Sequence, residues 1–177
     1  MKFLKYTVLT IAALAITLGL AGFLLPSTVQ VQRQIMIKAD AQTVYTLLNS
    51  YQRFNEWSPW YDLDPNAKYS YEGPSEGVGA KMSWASQDPN VGSGSQDITE
   101  SVAPSLIRTH LYFEGQGDAY AAFRIEPVEG GTQVTWEFST EFGNDVVGRW
   151  FGVLMFDSLI GADYEKGLSK MKQVLEK

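Results

Sequence analysis

The stretch VQRQIMIKADAQTVYTLLNSYQRFNEWSPW, residues 31–60, decides the fold, because its hydrophobic period changes from two to helical within it. Apolar and polar side chains alternate from Val29 to Ile37, which predicts a strand with one buried face. Asp40 then supplies an N-cap, and apolar residues recur at helical spacing from residue 41 to about 50, which predicts a short amphipathic helix. These recurring residues are Val44, Leu47, Leu48 and Tyr51.

The end of the same stretch, residues 54–60, is too aromatic for a solvated loop, and Pro59 denies it a regular ladder. We therefore expect it to pack on a core. Trp57 and Trp60 suit either of two roles, as aromatic staples for the first helix or as residues at the mouth of a pocket.

Beyond residue 66 the chain divides into short alternating segments separated by Gly, Pro, Asp and Asn, which predicts an antiparallel meander. The predicted strands lie near 67–72, 79–85, 92–102, 105–114, 118–126 and 132–141.

After residue 145 the period is helical to the C-terminus. One apolar stripe contains Phe156, Ile160, Tyr164, Leu168, Met171 and Leu175, and the opposite face carries Asp163, Glu165, Lys166, Lys170 and Lys172. Gly148, Gly152 and Gly161 weaken a helix, so we expect a bend or a separate first segment. Because strands and helices are segregated along the chain, the fold class is α+β.

The N-terminal segment predicts a membrane anchor over residues 1–26, ahead of a single domain over 27–177. Its apolar run from Val8 to Leu25 is long enough to cross a bilayer, and residues 6–25 would contact the lipid. Lys2 and Lys5 place the N-terminus inside, so the domain is expected on the periplasmic side of the cytoplasmic (inner) membrane. The alternative is a cleaved signal peptide, although bulky residues stand where its small-residue cleavage site belongs.

Composition excludes several function classes. Without Lys2 and Lys5 the chain has 12 basic and 20 acidic residues, a net charge of about −8, which disfavours nucleic acid as a partner. Cysteine is absent and histidine occurs once, so neither a thiolate site nor a multi-histidine metal site is expected. We predict no metal and no cofactor.

Five segments in this order resemble the START-like or helix-grip superfamily, also called SRPBCC, and especially its bacterial polyketide cyclase/dehydrase-like branch. The segments are residues 31–60, Gly77–Trp84, Gly92–Glu100, Gly130–Trp136 and Asp163–Leu168, within a likeness over 27–176. The resemblance implies a Bet v 1-like fold, in which a curved seven-stranded antiparallel sheet surrounds a long C-terminal helix and leaves an apolar cavity between them. Members include lipid carriers, cyclases, dehydrases, hormone receptors and chaperone activators, so the fold leaves the chemistry open.

Strand alternation, read together with the helical stripe, predicts the residues that face such a cavity. The candidate ligand-binding residues are Met82, Trp84, Ile98, Glu100, Leu111, Phe113, Phe123, Trp136, Phe138, Phe156 and Ile160. The competing interpretation of each is ordinary core packing. His110 falls on the opposite, polar face of its strand.

Glu100 is the acidic member of this apolar set and the one catalytic candidate. A buried, unpaired carboxyl has a raised pKa, which suits a general acid or base. The alternative is a position near Pro104 where a bulge turns the side chain into water.

Three hypotheses follow for the function. The first is a membrane-tethered module that binds a lipid-like or other apolar small molecule. The second is a polyketide cyclase/dehydrase-type enzyme that uses Glu100. The third is a ligand-free interaction or chaperone-like domain, with a filled core and a large exposed apolar patch.

Overall fold

The computed structural model describes residues 2–177. The helices are α1 (Lys2–Gly22), α2 (Ala41–Leu48), a 3-10 helix (Tyr51–Glu56), α3 (Val146–Phe151), a π-helical turn (Gly152–Phe156) and α4 (Asp157–Leu175). The strands are β1 (Thr28–Ile37), β2 (Lys68–Glu72), β3 (Lys81–Ala85), β4 (Ser93–Val102), β5 (Leu106–Phe113), β6 (Gly117–Val128) and β7 (Gly131–Glu141).

Within this described part, seven strands form one antiparallel sheet in the order β1-β7-β6-β5-β4-β3-β2. The inner faces of β1 and β7 pack on α4, whose Tyr164, Leu168 and Met171 are at most 2% exposed. Sheet and C-terminal helix thus form the predicted helix-grip fold, which is confirmed.

The segment after β1 folds as its capping residues require. The Asp40 carboxylate accepts a hydrogen bond from the Thr43 backbone N–H at 2.9 Å, so it is the N-cap of α2. The 3-10 helix follows and turns the aromatic segment inward, where Trp57 is 2% exposed and its ring lies 5.3 Å from that of Trp136. The expected packing of the aromatic segment on the core is confirmed.

The prediction that Glu100 shares the apolar face of β4 is wrong. The pairing of β4 with β5 shifts register between Ile98 and Glu100, which marks a bulge. One extra residue exchanges the two faces of a strand. Ser101 therefore points inward, and Glu100 lies exposed with its Oε2 2.8 Å from Nε of Arg108.

The C-terminal region contains the expected irregularity as the π-helical turn between α3 and α4. Gly152 begins this turn and is buried, and a Cβ there would collide with Val29 and Phe142. The glycine therefore permits a close approach between this turn and β1.

Among residues 2–177, α1 is the one helix long and apolar enough to cross a membrane. A signal sequence has the same properties, so the helix by itself leaves both alternatives open. Its side chains are mostly exposed, and the end of α1 lies against α3.

Candidate functional site: a cavity under the sheet

A cavity of about 530 Å³ lies between β3–β5 and the C-terminal helical region. Its wall is largely aromatic and aliphatic. The apolar lining includes Trp60, Tyr69, Met82, Trp84, Leu111, Phe113, Phe138, Phe142, Phe156 and Ile160.

The mouth of the cavity lies at the end of the sheet where the chain leaves α1. The β3–β4 loop, the β5–β6 loop and the end of α3 contribute exposed lining residues, among them Asn90, Gln116 and Phe151. Strand register places these loops together with the beginning of β1, since Thr28 of β1 pairs with Glu141 at the end of β7. The entrance and the N-terminal helix thus share one end of the domain.

The structure divides the predicted site residues into three groups. Seven line the cavity, namely Met82, Trp84, Leu111, Phe113, Phe138, Phe156 and Ile160. Ile98, Phe123 and Trp136 are buried elsewhere in the core, and Glu100 lies outside on the surface.

An aromatic stack explains why part of the inner face is filled. The Trp136 ring lies 3.7 Å from the Tyr164 ring and 5.0 Å from the Phe123 ring, in stacked arrangements. Trp57 adds edge contacts to both Phe123 and Trp136. Rings therefore occupy the space under β6 and β7, and the cavity remains beside them.

The cavity lining also contains polar residues that the sequence pattern did not identify as site residues. Ser58 is fully buried, and among residues 2–177 its hydroxyl has no hydrogen-bond partner. Gln96 is 7% exposed, and Asp163 lies half-buried on α4. Burial raises the pKa of the Asp163 carboxyl, and the neighbouring Trp60 indole and Lys166 oppose that shift.

A second hollow, of about 790 Å³, lies on the outer face of the sheet and differs in chemistry. Its charged side chains are already paired. Nε of Arg124 is 2.7 Å from Oε1 of Glu137, and Arg108 is bound to Glu100. The lining of this outer hollow is mainly polar, whereas that of the inner cavity is mainly apolar, so the inner cavity is the candidate site for an apolar guest.

His110 lies on the outer face, as its position in the strand pattern predicts. Its Nε2 is 2.7 Å from Asp118, and its Nδ1 is 3.3 Å from Asp97. The hydrogen bond to Asp118, followed by that to Asp97, raises the pKa of His110. Within residues 2–177, no group of three or more His, Cys, Asp or Glu is arranged to hold a metal ion.

Comparison with known proteins identifies relatives of this architecture. The model of the family described as "Polyketide cyclase / dehydrase and lipid transport" matches residues 28–176. No curated protein matches the chain.

Solved structures share the fold at low sequence identity. The KanY protein is 15% identical with a TM-score of 0.61, over 86% of this chain and 100% of that one. The Aha1 protein from Colwellia psychrerythraea, solved as a dimer, is 18% identical with a TM-score of 0.58, over 84% and 96%. The di-domain ARO/CYC StfQ of the steffimycin biosynthetic pathway is 12% identical with a TM-score of 0.60, over 84% and 51%.

The family match spans nearly the whole region between β1 and the end of α4, and the neighbours carry the same sheet and helix. This chain therefore belongs to the polyketide cyclase/dehydrase and lipid transport family.

Proposed function

We propose that this protein is a membrane-tethered binding module for a lipid-like or other apolar small molecule. The observation that carries the proposal is the unfilled, mainly apolar cavity of about 530 Å³ between the sheet and the C-terminal helical region. Small-molecule sites typically have volumes of roughly 300–1,000 Å³ and a largely apolar wall with a few polar groups. The cavity has both properties.

Polar residues of the lining indicate which kind of apolar molecule fits. The Ser58 hydroxyl has no accessible surface, so it offers no contact to a ligand in this structure. Gln96 and Asp163 keep some accessible surface and supply an amide and a carboxyl to the cavity wall. The expected ligand is therefore amphipathic, with an aliphatic or aromatic body and a polar end such as a hydroxyl, amide or amine.

The tether belongs to the same proposal. The uncharged run of α1 would span the bilayer with Lys2 and Lys5 on the cytoplasmic side, leaving the domain on the periplasmic side. The five residues between Gly22 and Thr28 hold the domain close to the lipid. A ligand dissolved in the membrane is then the nearest one available.

The other hypotheses have less support. A cyclase or dehydrase reaction through Glu100 requires this carboxyl to face the ligand, and it is instead exposed and paired with Arg108 outside the cavity. A ligand-free domain requires a filled core, and the inner space is open.

The test uses the full chain, purified in mild detergent and incorporated into phospholipid nanodiscs. Leu111→Trp fills the cavity, whereas Tyr112→Trp places the same ring on the exposed face of the same strand. We expect a fluorescent fatty-alcohol analogue to bind the wild type and Tyr112→Trp equally, and to bind Leu111→Trp at least tenfold more weakly. Equal binding by all three proteins, or no binding by the wild type, would contradict the proposal.

A further inference from the structure

We propose that α3, the π-helical turn and the start of α4 form a second membrane contact, which inserts into the bilayer surface and seats the mouth of the cavity in lipid. This inference rests on the proposed function for the tether and the ligand. It adds the surface through which the ligand reaches the cavity. We name this surface the apolar ridge; it consists of Val147, Phe151, Val153, Leu154, Met155 and Leu159.

The apolar ridge is exposed although its side chains are large and apolar. Val147 is 77% exposed and Leu154 is 68% exposed, and the other members lie between 44% and 49%. Apart from Val153, they recur at helical spacing and form one continuous stripe. A helix face of this composition is unfavourable in water, whereas single scattered apolar residues are ordinary.

Charge is sparse along the ridge. Between Val147 and Leu159 the charged residues are Arg149, which donates to backbone carbonyls, and Asp157, which is paired with Arg33. The domain as a whole is acidic, so attraction to anionic lipid does not explain a membrane contact. The ridge would instead bind through burial of apolar area, as interfacial helices do.

Tight packing of the inner side of α3 on the domain explains why the side chains of the ridge remain exposed. Gly148 and Gly152 are buried, and a Cβ at either would collide with Phe142. The two glycines thus fix one side of the helical segment against the domain. The apolar side chains on its other side remain exposed, so they are available to lipid.

Contacts with the end of α1 place the ridge at the level of the bilayer surface. The indole Nε1 of Trp150 donates to the Leu18 carbonyl at 3.1 Å. Nη1 of Arg149 donates to the Phe23 and Leu25 carbonyls at 3.0 and 3.1 Å. Since Trp and Arg are typical of the membrane–water boundary, α3 lies where α1 would leave the hydrocarbon.

The ridge is also continuous with the entrance of the cavity. Phe151 belongs to the ridge and lines the cavity, and Phe156 follows it on the cavity wall. With the ridge in lipid, an amphipathic molecule passes from the membrane to the cavity without crossing water. The bilayer is favoured over a second copy of the chain, because the ridge adjoins α1, whose own side chains require lipid.

The test uses the absence of native cysteine. Full-length Leu154→Cys and, as the control, Tyr120→Cys on the exposed outer face are each labelled with an environment-sensitive NBD dye in phosphatidylcholine vesicles. We expect blue-shifted emission at position 154 and several-fold stronger quenching there than at position 120 by lipids that carry a spin label on the acyl chain. A blue shift without lipid quenching would indicate a protein contact and overturn the inference, and so would the absence of both signals.

A second measurement separates this inference from the proposed function. Leu154→Asp places a charge on the ridge outside the cavity wall, so we expect transfer of the fatty-alcohol analogue from vesicles to slow at least tenfold while its affinity in detergent is unchanged. Leu111→Trp should do the reverse, with lost affinity and full quenching at position 154. Quenching without ligand binding would remove the proposed function alone. Binding without quenching, or unchanged transfer by Leu154→Asp, would remove the ridge alone.

Discussion

The two halves of the C-terminal helical region use the same kind of side chain in opposite ways. In α4, Leu168 and Met171 are at most 1% exposed under the sheet. Nearer the start of the region, Leu154 and its neighbours are exposed. The difference shows that an apolar helical stripe contributes to stability where the sheet covers it, and is available for contact where the sheet ends.

The largest expected effect is a contrast between two leucine truncations. Leu168→Ala leaves a cavity in the core and should lower the free energy of unfolding by about 3 kcal/mol. Leu154→Ala removes no buried contact and should change it by less than about 0.5 kcal/mol. Urea unfolding of the full chain in detergent, followed by tryptophan fluorescence, measures both. Similar losses would show that the two halves are equally buried.

Gly167 sharpens the contrast within α4. A Cβ there would lie 2.8 Å from the Trp136 ring and 3.2 Å from Pro59, two groups that yield little. Gly167→Ala should therefore cost about 1–3 kcal/mol by overpacking, although alanine favours a helix. Ser169→Ala, two residues away and exposed, is the control and should be neutral or slightly stabilising. If Gly167→Ala raises the free energy of unfolding, α4 is packed too loosely against Trp136 and Pro59 for a Cβ to overpack it.

The smallest expected effect concerns the junction between the halves. Arg33 binds Asp157 at 2.9 Å and Glu165 at 2.6 Å, and the Asp157 pKa is lowered by its hydrogen bond to Arg33. A carboxyl with a lowered pKa stabilises the fold above its ordinary pKa and loses this contribution as the pH falls through the lowered value. We expect Arg33→Met to lower the unfolding temperature slightly at pH 7, and the difference to shrink at acidic pH.

Asp157→Asn is the matched control for this junction, since it removes the same titration from the other partner. When Arg33→Met is made in the Asp157→Asn background, its effect on the unfolding temperature should depend less on pH. An effect of Arg33→Met in the wild-type background that stays constant as the solution is acidified would exclude the carboxylate as its source.

The sequence predicted the fold well because burial here follows simple periods. Each expected strand appears within about two residues of its predicted ends, and Asp40 caps α2 as expected. The order of a strand, a helix, a meander and a long helix leaves few ways to bury the apolar faces. An irregularity in the C-terminal helical region, which is the π-helical turn that begins at Gly152, was expected from the glycine content alone.

The site was less predictable for three physical reasons. A bulge at residue 99 reverses the phase of β4, and alternation cannot detect one extra residue, so Glu100 was placed on the wrong face. The inner face also contains both packed and cavity-lining residues, such as Trp136 and Trp84, and their difference depends on how neighbouring rings stack.

The polar residues of the cavity lining illustrate a third reason why the site was hard to predict. Ser58 lies in a segment without a regular period, and Asp163 was assigned to the polar face of the C-terminal helix, whereas it lies half-buried at the cavity. Which polar residues meet a cavity depends on contacts between distant elements. Periodicity along one element does not contain this information.

The contacts of Arg149 with the carbonyls after α1 have a mechanical consequence. These hydrogen bonds attach the segment after the N-terminal helix directly to the domain, so the helix and the domain are not joined by a flexible linker alone. With 21 residues, α1 is about 32 Å long, near the thickness of a bilayer core, and such helices adjust to thicker or thinner membranes by tilting. If α1 spans the membrane as proposed, this tilt would also change the angle of the domain at the lipid surface.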